Sequence, residues 1–251
     1  MKLIRSVIPI PDLIYKYIRF YRLNRLISHR IIHIINNQYP KIKKCNICNW
    51  EGKIFIEQEA RCPICFSMPR HRLLSYLLEK ENLINKKILI IGPDMTEILM
   101  LRNKTNSNVK ILNIIDTPFT DIVCDITKYK LENTSFDFVF MWHVLEHIKD
   151  DVMAVENIFN LLKENGKFFF SVPIFPWGNK FSYVPEYQTR KEKIQKMGHH
   201  DHVLCCGEDY GSRFNSIKFR EQKKVSVKKF REAEIDKYHL NINHYAWIFT
   251  K

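Results

Sequence analysis

Ser135-Phe-Asp-Phe-Val-Phe-Met-Trp-His-Val-Leu-Glu-His-Ile148 opens the stretch that decides the fold, and it continues through Leu161-Leu-Lys-Glu-Asn-Gly-Lys167 to Val172. Phe136 to Met141 is a short apolar run of the kind that forms a strand buried on both faces. Asp151 to Lys163 then spaces Val152, Val155, Ile158, Phe159 and Leu162 as one face of a helix, and Asn165-Gly166 supplies a C-cap and turn. Lys167 to Val172 is a second apolar run. Strand, helix and strand in this order predict two parallel strands joined by a crossover helix.

The same rhythm extends outward in both directions. Lys87 to Ile91 is an apolar run ending at Gly92, Met95 to Arg102 supplies a helix, and Val109 to Ile115 is a second run closing on Asp116. Asp121 to Ile126 reads as a short third strand. Upstream, Pro69 to Asn82 reads as a helix with Leu73, Leu74, Leu77 and Leu78 on one face. Downstream, a helix around Glu208 to Ile217 precedes two terminal strands, near Val225 and over His244 to Thr250. Repeated strand–helix units predict an α/β protein: a Rossmann-like, doubly wound, mostly parallel seven-stranded sheet with helices on both faces. Residues 173–206 interrupt the pattern with three prolines and a cluster of histidines, so they read as a long active-site loop inserted in a domain spanning 69–251.

The chain of 251 residues carries a net charge of +13, and the excess is local. Residues 1–44 hold ten Lys or Arg and one acid, Asp12, so nine of the net charges lie in this arm. Its Ile14, Ile18, Tyr21, Leu26, Ile27 and Ile31 alternate with Lys16, Arg19, Arg22, Arg25 and Arg30 as in a basic amphipathic helix. Such an arm either packs its apolar stripe on the body of the protein or lies on an anionic lipid or glycan surface. Nucleic acid is disfavoured as a partner because no recognised nucleic-acid module follows. No run of 18 apolar residues occurs, and the first 20 residues lack the apolar core and cleavage site of a secretory leader. A cytoplasmic protein is expected, with peripheral contact at the inner face of the membrane as a role for the arm.

Cys45-Asn-Ile-Cys48 and Cys62-Pro-Ile-Cys65 are two Cys-x-x-Cys knuckles 13 residues apart. Each presents two thiolates, and four together suit one tetrahedral Zn²⁺ in a coordinatively closed, structural site over residues 45–68. Four reduced core cysteines, or a redox pair in either knuckle, are the bland alternatives. Arg70-His71-Arg72 follows at a helix start, where cations oppose the helix dipole. That placement calls for an anionic partner, the protein's own acids included, or for a solvated basic turn.

In a doubly wound sheet the ligand lies over the carboxyl ends of the strands where the strand order reverses. Gly92 ends the first strand, Asp116 follows the second by 24 residues from Gly92, Asp125 lies near the end of the third, and Trp142-His143 ends the fourth. With these residues the chain resembles the class I S-adenosylmethionine-dependent methyltransferases of the type 11-like branch. The resemblance is carried by the segment from Ser135 to Ile148, by Asp150-Asp151 and by the turn into the fifth strand. A subgroup also shares Cys-Pro-x-Cys with Arg-His-Arg (Cys62 to Arg72), Asp201-His-Val203 and Gly207-Glu-Asp-Tyr210. The resemblance implies that Asp116 holds the cofactor ribose and Asp125 the adenine amino group with Ile126 against the ring. It also implies that Trp142 and His143 line the methionine side. Ile90-Ile-Gly-Pro-Asp-Met95 departs from the glycine-rich loop of most relatives, and Asp94 or Glu97 is then expected to receive the methionine ammonium.

Methyl transfer to an alcohol requires a base, for which a near-neutral histidine is suited. His202 oriented by Asp201 is the first expectation and His143 the second. The acceptor expected is a sugar or cell-envelope glycan. The alternatives are a small metabolite, a lipid-linked precursor or a protein side chain, and a zinc-bearing binding module with a decayed cofactor pocket.

Overall fold

The structure, a computed structural model, describes residues 42–56, 60–105, 109–129, 135–186 and 189–251. The basic arm expected over residues 1–44 lies outside them, apart from its last three residues.

Strands β1 (Lys43–Lys44) and β2 (Glu51–Gly52) form a small antiparallel pair in the cysteine module. Helix α1 (Pro69–Leu78) leads into β3 (Ile88–Ile91), α2 (Met95–Lys104), β4 (Val109–Asn113), β5 (Ile122–Val123) and β6 (Phe136–Trp142). Helix α3 (Asp151–Leu161), β7 (Leu162–Ser171), α4 (Arg190–Met197), β8 (Glu221–Ser226), α5 (Glu232–Tyr238) and β9 (Tyr245–Thr250) complete the chain. The main sheet has seven strands in the order β5-β4-β3-β6-β7-β9-β8, parallel except for β9, which runs antiparallel to both neighbours. The expected Rossmann-like sheet is therefore present, and its order reverses between β3 and β6.

Alternation along the central strands divides the core. Leu89, Ile91, Val139, Met141, Phe168 and Phe170 face α3, meeting Ala154, Val155, Ile158 and Leu161. Ile88, Ile90, Phe138, Phe140 and Phe169 face the other way, against Leu73, Leu74, Leu77 and Leu78 of α1 and Met100 and Leu101 of α2. A strand buried on both faces must be apolar at every position, and all four residues of β3 are buried.

Three local expectations change. The Asn165-Gly166 turn is absorbed into β7 as an irregularity: pairing steps from Phe136–Leu162 to Phe138–Lys167, with Asn165 at φ +63°. The helix expected over 208–217 contracts to a single 3₁₀ segment, Tyr210–Phe214. Its i, i+3 pair Tyr210 and Arg213 both reach the buried Asp151 carboxylate, through the Tyr210 hydroxyl at 2.9 Å and the Arg213 Nε and Nη2 at 2.8 Å. A 3₁₀ turn brings i and i+3 onto one side, which this convergence requires. Within 173–206 the chain forms α4, capped by Thr189 and Glu192 and ended by Gly198 at φ +79°.

Candidate active site

The turn after β3 sits beside the point of strand reversal. Gly92 adopts φ +60°, and a Cβ there would stand 3.1 Å from the Val144 side chain, so the backbone approaches closely only without a side chain. Asp94 then caps α2. Its Oδ1 accepts from the Thr96 and Glu97 N–H groups, and its own N–H donates to Glu97 Oε2. Its Oδ2 takes Arg70 Nη2 at 3.2 Å and His71 Nε2 at 2.8 Å. His71 Nδ1 accepts the Met68 N–H, so its ring is a neutral Nε2–H tautomer. Burial of Asp94 acts to raise its carboxyl, but His71, the cap and Arg70 outweigh it and hold the group well below its ordinary value. The carboxylate expected to receive an ammonium is thus engaged by four donors of the chain itself, and Glu97 is buried at 2 % exposure. The Arg70-His71 mismatch with the helix dipole is answered by the protein's own acids.

Asp116, beyond the end of β4, is exposed and has no partner among the described residues. Asp125 lies just after β5, where Oδ1 accepts from the Thr127 N–H and hydroxyl, while Lys128 stands 3.8 Å from Oδ2. Ile126, expected against a ring, has its side chain in the core at 2 % exposure, so only its backbone is on offer. Trp142 likewise turns inward: it packs under α1 and donates from Nε1 to the Arg70 carbonyl at 3.1 Å. Ile126 lies in the turn after β5 and Trp142 is the last residue of a strand buried on both faces, so each side chain has core beside it.

His143 does line a cavity. With Ala60, Met68, Pro69, Arg70, His239, Leu240, Asn241 and His244 it surrounds a volume of about 430 Å³ at the carboxyl edge of the sheet. His143 is held at φ +56°, its N–H donating to the Ser171 carbonyl. The Ser171 hydroxyl gives its proton to the Tyr245 carbonyl at 2.7 Å, so it receives one from His143 Nε2 at 3.5 Å. Burial, with Arg70 next, keeps the His143 imidazole well below its ordinary pKa.

The expected dyad of Asp201 and His202 is not formed. Asp201 is exposed and faces His200 Nε2 at 3.0 Å and His199 Nδ1 at 3.8 Å. His202 is buried, donates from Nδ1 to the Met197 carbonyl at 2.7 Å, and points Nε2 at Glu146. Burial pulls its pKa down to about 4. Asp201 lies in a turn at the surface while the next residue enters the interior, so adjacency in sequence does not make a pair. Glu146, which sequence reasoning passed over, is 1 % exposed and stands at the centre of His143, His147 and His202. Burial pushes its carboxyl up to about 8. The available signal was an acid inside the apolar stretch Trp142 to Ile148, three residues from one histidine and next to another.

The four cysteines converge as their spacing predicts. The Sγ atoms of Cys45 and Cys65, and of Cys48 and Cys62, are 3.6 Å apart, and all four lie within 4.8 Å of one another. A regular tetrahedron with metal–sulfur bonds of about 2.3 Å has edges of about 3.8 Å, so the donor set fits Zn²⁺. The two knuckles share one backbone pattern. Asn49 N–H bonds to Cys45 O and Phe66 N–H to Cys62 O, with Asn49 and Phe66 both at φ +59°. Arg72 ties the module to the body. Its Nε donates to Tyr238 O, Nη1 to Ser67 O and Nη2 to Ala60 O and His239 O, and its guanidinium lies 4.1 Å over the Phe55 ring.

In sequence, residues 79–170 match the family described as "Methyltransferase domain", type 11. The match covers 92 of the 251 residues, and over them the chain is similar to methyltransferase domains. No curated protein matches the chain in sequence. Among solved structures, a methyltransferase of Archaeoglobus fulgidus described as SAM dependent superposes with a TM-score of 0.51. Its identity is 16 %, and 72 % of this chain and 92 % of that one are covered. Coclaurine N-methyltransferase bound to N-methylheliamine and SAH gives 0.51 at 12 % identity, over 72 % and 70 % of the two chains. The phosphoethanolamine N-methyltransferase 2 of Haemonchus contortus gives 0.48 at 17 % identity over 70 % of this chain, which spans only 51 % of that protein's length. At these identities the two matches with a TM-score of 0.51 show a shared fold, and the cavity walls supplied by Ala60, Met68 and the 239–244 loop lie outside the matched 79–170 segment.

Proposed function

We propose that this chain transfers a methyl group from S-adenosylmethionine to a hydroxyl of a sugar or cell-envelope glycan. The observation that supports the reading is that Gly92, Asp116, Asp125 and His143 each follow the carboxyl end of a parallel strand of the sheet, and that His143 lines a cavity of about 430 Å³. The cofactor, when bound, supplies an electrophilic methyl group on a sulfonium. The glycine turn at Gly92 leaves room for it, the free carboxylate of Asp116 accepts hydrogen bonds from ribose hydroxyls, and Asp125 with the backbone of Ile126 faces the adenine. Arg70, on the cavity wall, is the cation suited to the methionine carboxylate.

The cavity aligns the acceptor oxygen and excludes water, which is most of what an in-line displacement needs from a protein. His143 replaces His202 and Asp201 as the base, because it alone of the three lines the cavity. The neutral ring, its Nε2 proton held on Ser171, takes the hydroxyl proton at Nδ1 as the oxygen–carbon bond forms and the carbon–sulfur bond breaks. The cysteine module holds a structural Zn²⁺, and the basic arm suits a phosphate-rich acceptor or the anionic inner face of the membrane. Among the described residues no helix is long and apolar enough to cross a membrane.

Calorimetry with S-adenosylmethionine tests the reading. Wild-type protein is expected to bind it and Asp116→Ala to bind it at least about tenfold more weakly, a loss of about 1.4 kcal/mol. Equal affinity of the two chains refutes the assignment of Asp116, and absence of binding to wild type refutes the function.

A further inference from the structure

We propose that Glu146, His147 and His202 form a binding site for a divalent transition-metal ion, separate from the four cysteines, that fastens the inserted segment to the methyltransferase sheet. Glu146 and His147 lie in the 3₁₀ turn Leu145–His147 that follows β6, and His202 lies in the insert. Their donor atoms all fall within 4.8 Å of one another.

The argument rests on where the protons are. His202 Nδ1 donates to Met197 O and His147 Nδ1 to Asp201 O at 3.3 Å, so a neutral ring in each case leaves Nε2 as a bare lone pair. Both Nε2 atoms are aimed at Glu146 Oε1, at 4.0 Å and 3.9 Å. His143, with Nε2 committed to Ser171, turns an unprotonated Nδ1 to the same oxygen at 3.8 Å. These separations exceed hydrogen-bond reach. Glu146 Oε2 is buried with no hydrogen-bond partner among the described residues. A buried carboxyl group ringed by lone pairs and left without a hydrogen-bond partner is short of a cation, which a bound metal ion would supply.

The distances suit an ion. Nitrogen and oxygen ligands about 2.0–2.2 Å from Zn²⁺ in a tetrahedron lie about 3.4 Å apart, so the observed separations close by roughly half an ångström. Ring nitrogens held by backbone carbonyls on their far side are the usual orientation of metal-ligating histidines. Two imidazoles and one carboxylate suit Zn²⁺ or Fe²⁺ rather than Ca²⁺ or Mg²⁺. Of the two other mixed clusters among the described residues, His199, His200 and Asp201 lie at the surface, with Asp201 already facing both rings; in His71, Asp94 and Glu97 the Asp94 oxygens meet Arg70, His71 Nε2–H and two backbone N–H groups, so no ion is called for.

The site is tested on the full chain by equilibrium dialysis against Zn²⁺ and elemental analysis, comparing wild type with Glu146→Gln and His147→Ala. His147 is 39 % exposed in its side chain, so its variant removes a ligand without opening the core. Each variant is expected to hold one fewer Zn²⁺ per chain, with affinity at this site reduced at least about 100-fold. Added Zn²⁺ is also expected to raise the melting temperature of wild type more than that of either variant. Equal zinc content in all three chains overturns the proposal. The metal count is read without S-adenosylmethionine, so it stands or falls independently of methyl transfer.

Discussion

Replacing Arg72 by Met isolates what a buried guanidinium does for this fold. The Met stem keeps much of the packing while removing four hydrogen bonds, to Ser67, Ala60, Tyr238 and His239, at donor–acceptor distances of 2.6–2.9 Å. Ser67 O retains the Cys62 N–H, whereas the other three carbonyls lose the only donor found among the described residues. Charged hydrogen bonds contribute about 1.5–3 kcal/mol each, which would sum to more than 6. Part of that is returned because the cation no longer has to be desolvated, a cost visible in the pKa of Arg72, which burial draws down to about 10. Breaking buried charge networks costs about 3–5 kcal/mol in practice, so about 4 is expected, or a fall of roughly 8–16 °C in melting temperature. The control is Arg70→Met in the same motif. Arg70 and Asp94 are 28 % and 38 % exposed in their side chains, and solvent screening limits that pair to about 0–1 kcal/mol. Urea unfolding followed by circular dichroism measures both. A loss for Arg72→Met within about 1 kcal/mol of that for Arg70→Met would refute the reasoning.

Two further outcomes follow from local geometry. A Cβ at Gly211 would stand 2.3 Å from Cδ1 of Trp247, which is buried and stacked 5.4 Å from Phe170, so Gly211→Ala is expected to cost about 3 kcal/mol and alter the near-ultraviolet tryptophan bands. An unchanged spectrum and midpoint would show that the ring has room to move. Burial acts to raise the Asp137 carboxyl, but Lys163 Nζ at 2.9 Å and the Lys87 N–H at 2.8 Å prevail and hold it below its ordinary value. A lowered folded pKa means that the unfolded chain binds the proton more readily. The contribution is therefore complete above the unfolded value of about 3.9 and lost as pH falls through the folded one. The stability difference between wild type and Asp137→Asn should be constant above about pH 5 and close below about pH 4. A difference that stays flat into acid would contradict the pairing with Lys163.

What the sequence by itself determined are the features encoded over short spans. Apolar runs such as Ile88–Ile91 and Phe136–Trp142 declare buried strands because both faces must shed water, and Cys-x-x-Cys twice declares a tetrahedral donor set because two residues between thiolates suit one ion. Repetition of strand and helix then leaves few topologies, and the seven-stranded order is among them. Tertiary structure alone decided which polar side chains meet. Asp201 and His202 are neighbours that part company, while Glu146 and His202 are distant in sequence and converge. Ile126, in the turn after β5, and Trp142, at the end of β6, both have their side chains in the core. Arg72 carries the same charge as Arg70 two residues earlier, yet one is sealed among carbonyls and the other faces a cavity. The reason is physical: backbone periodicity and burial act locally and leave a pattern in the chain, whereas pairing of polar groups depends on loop paths that bring remote residues to one point.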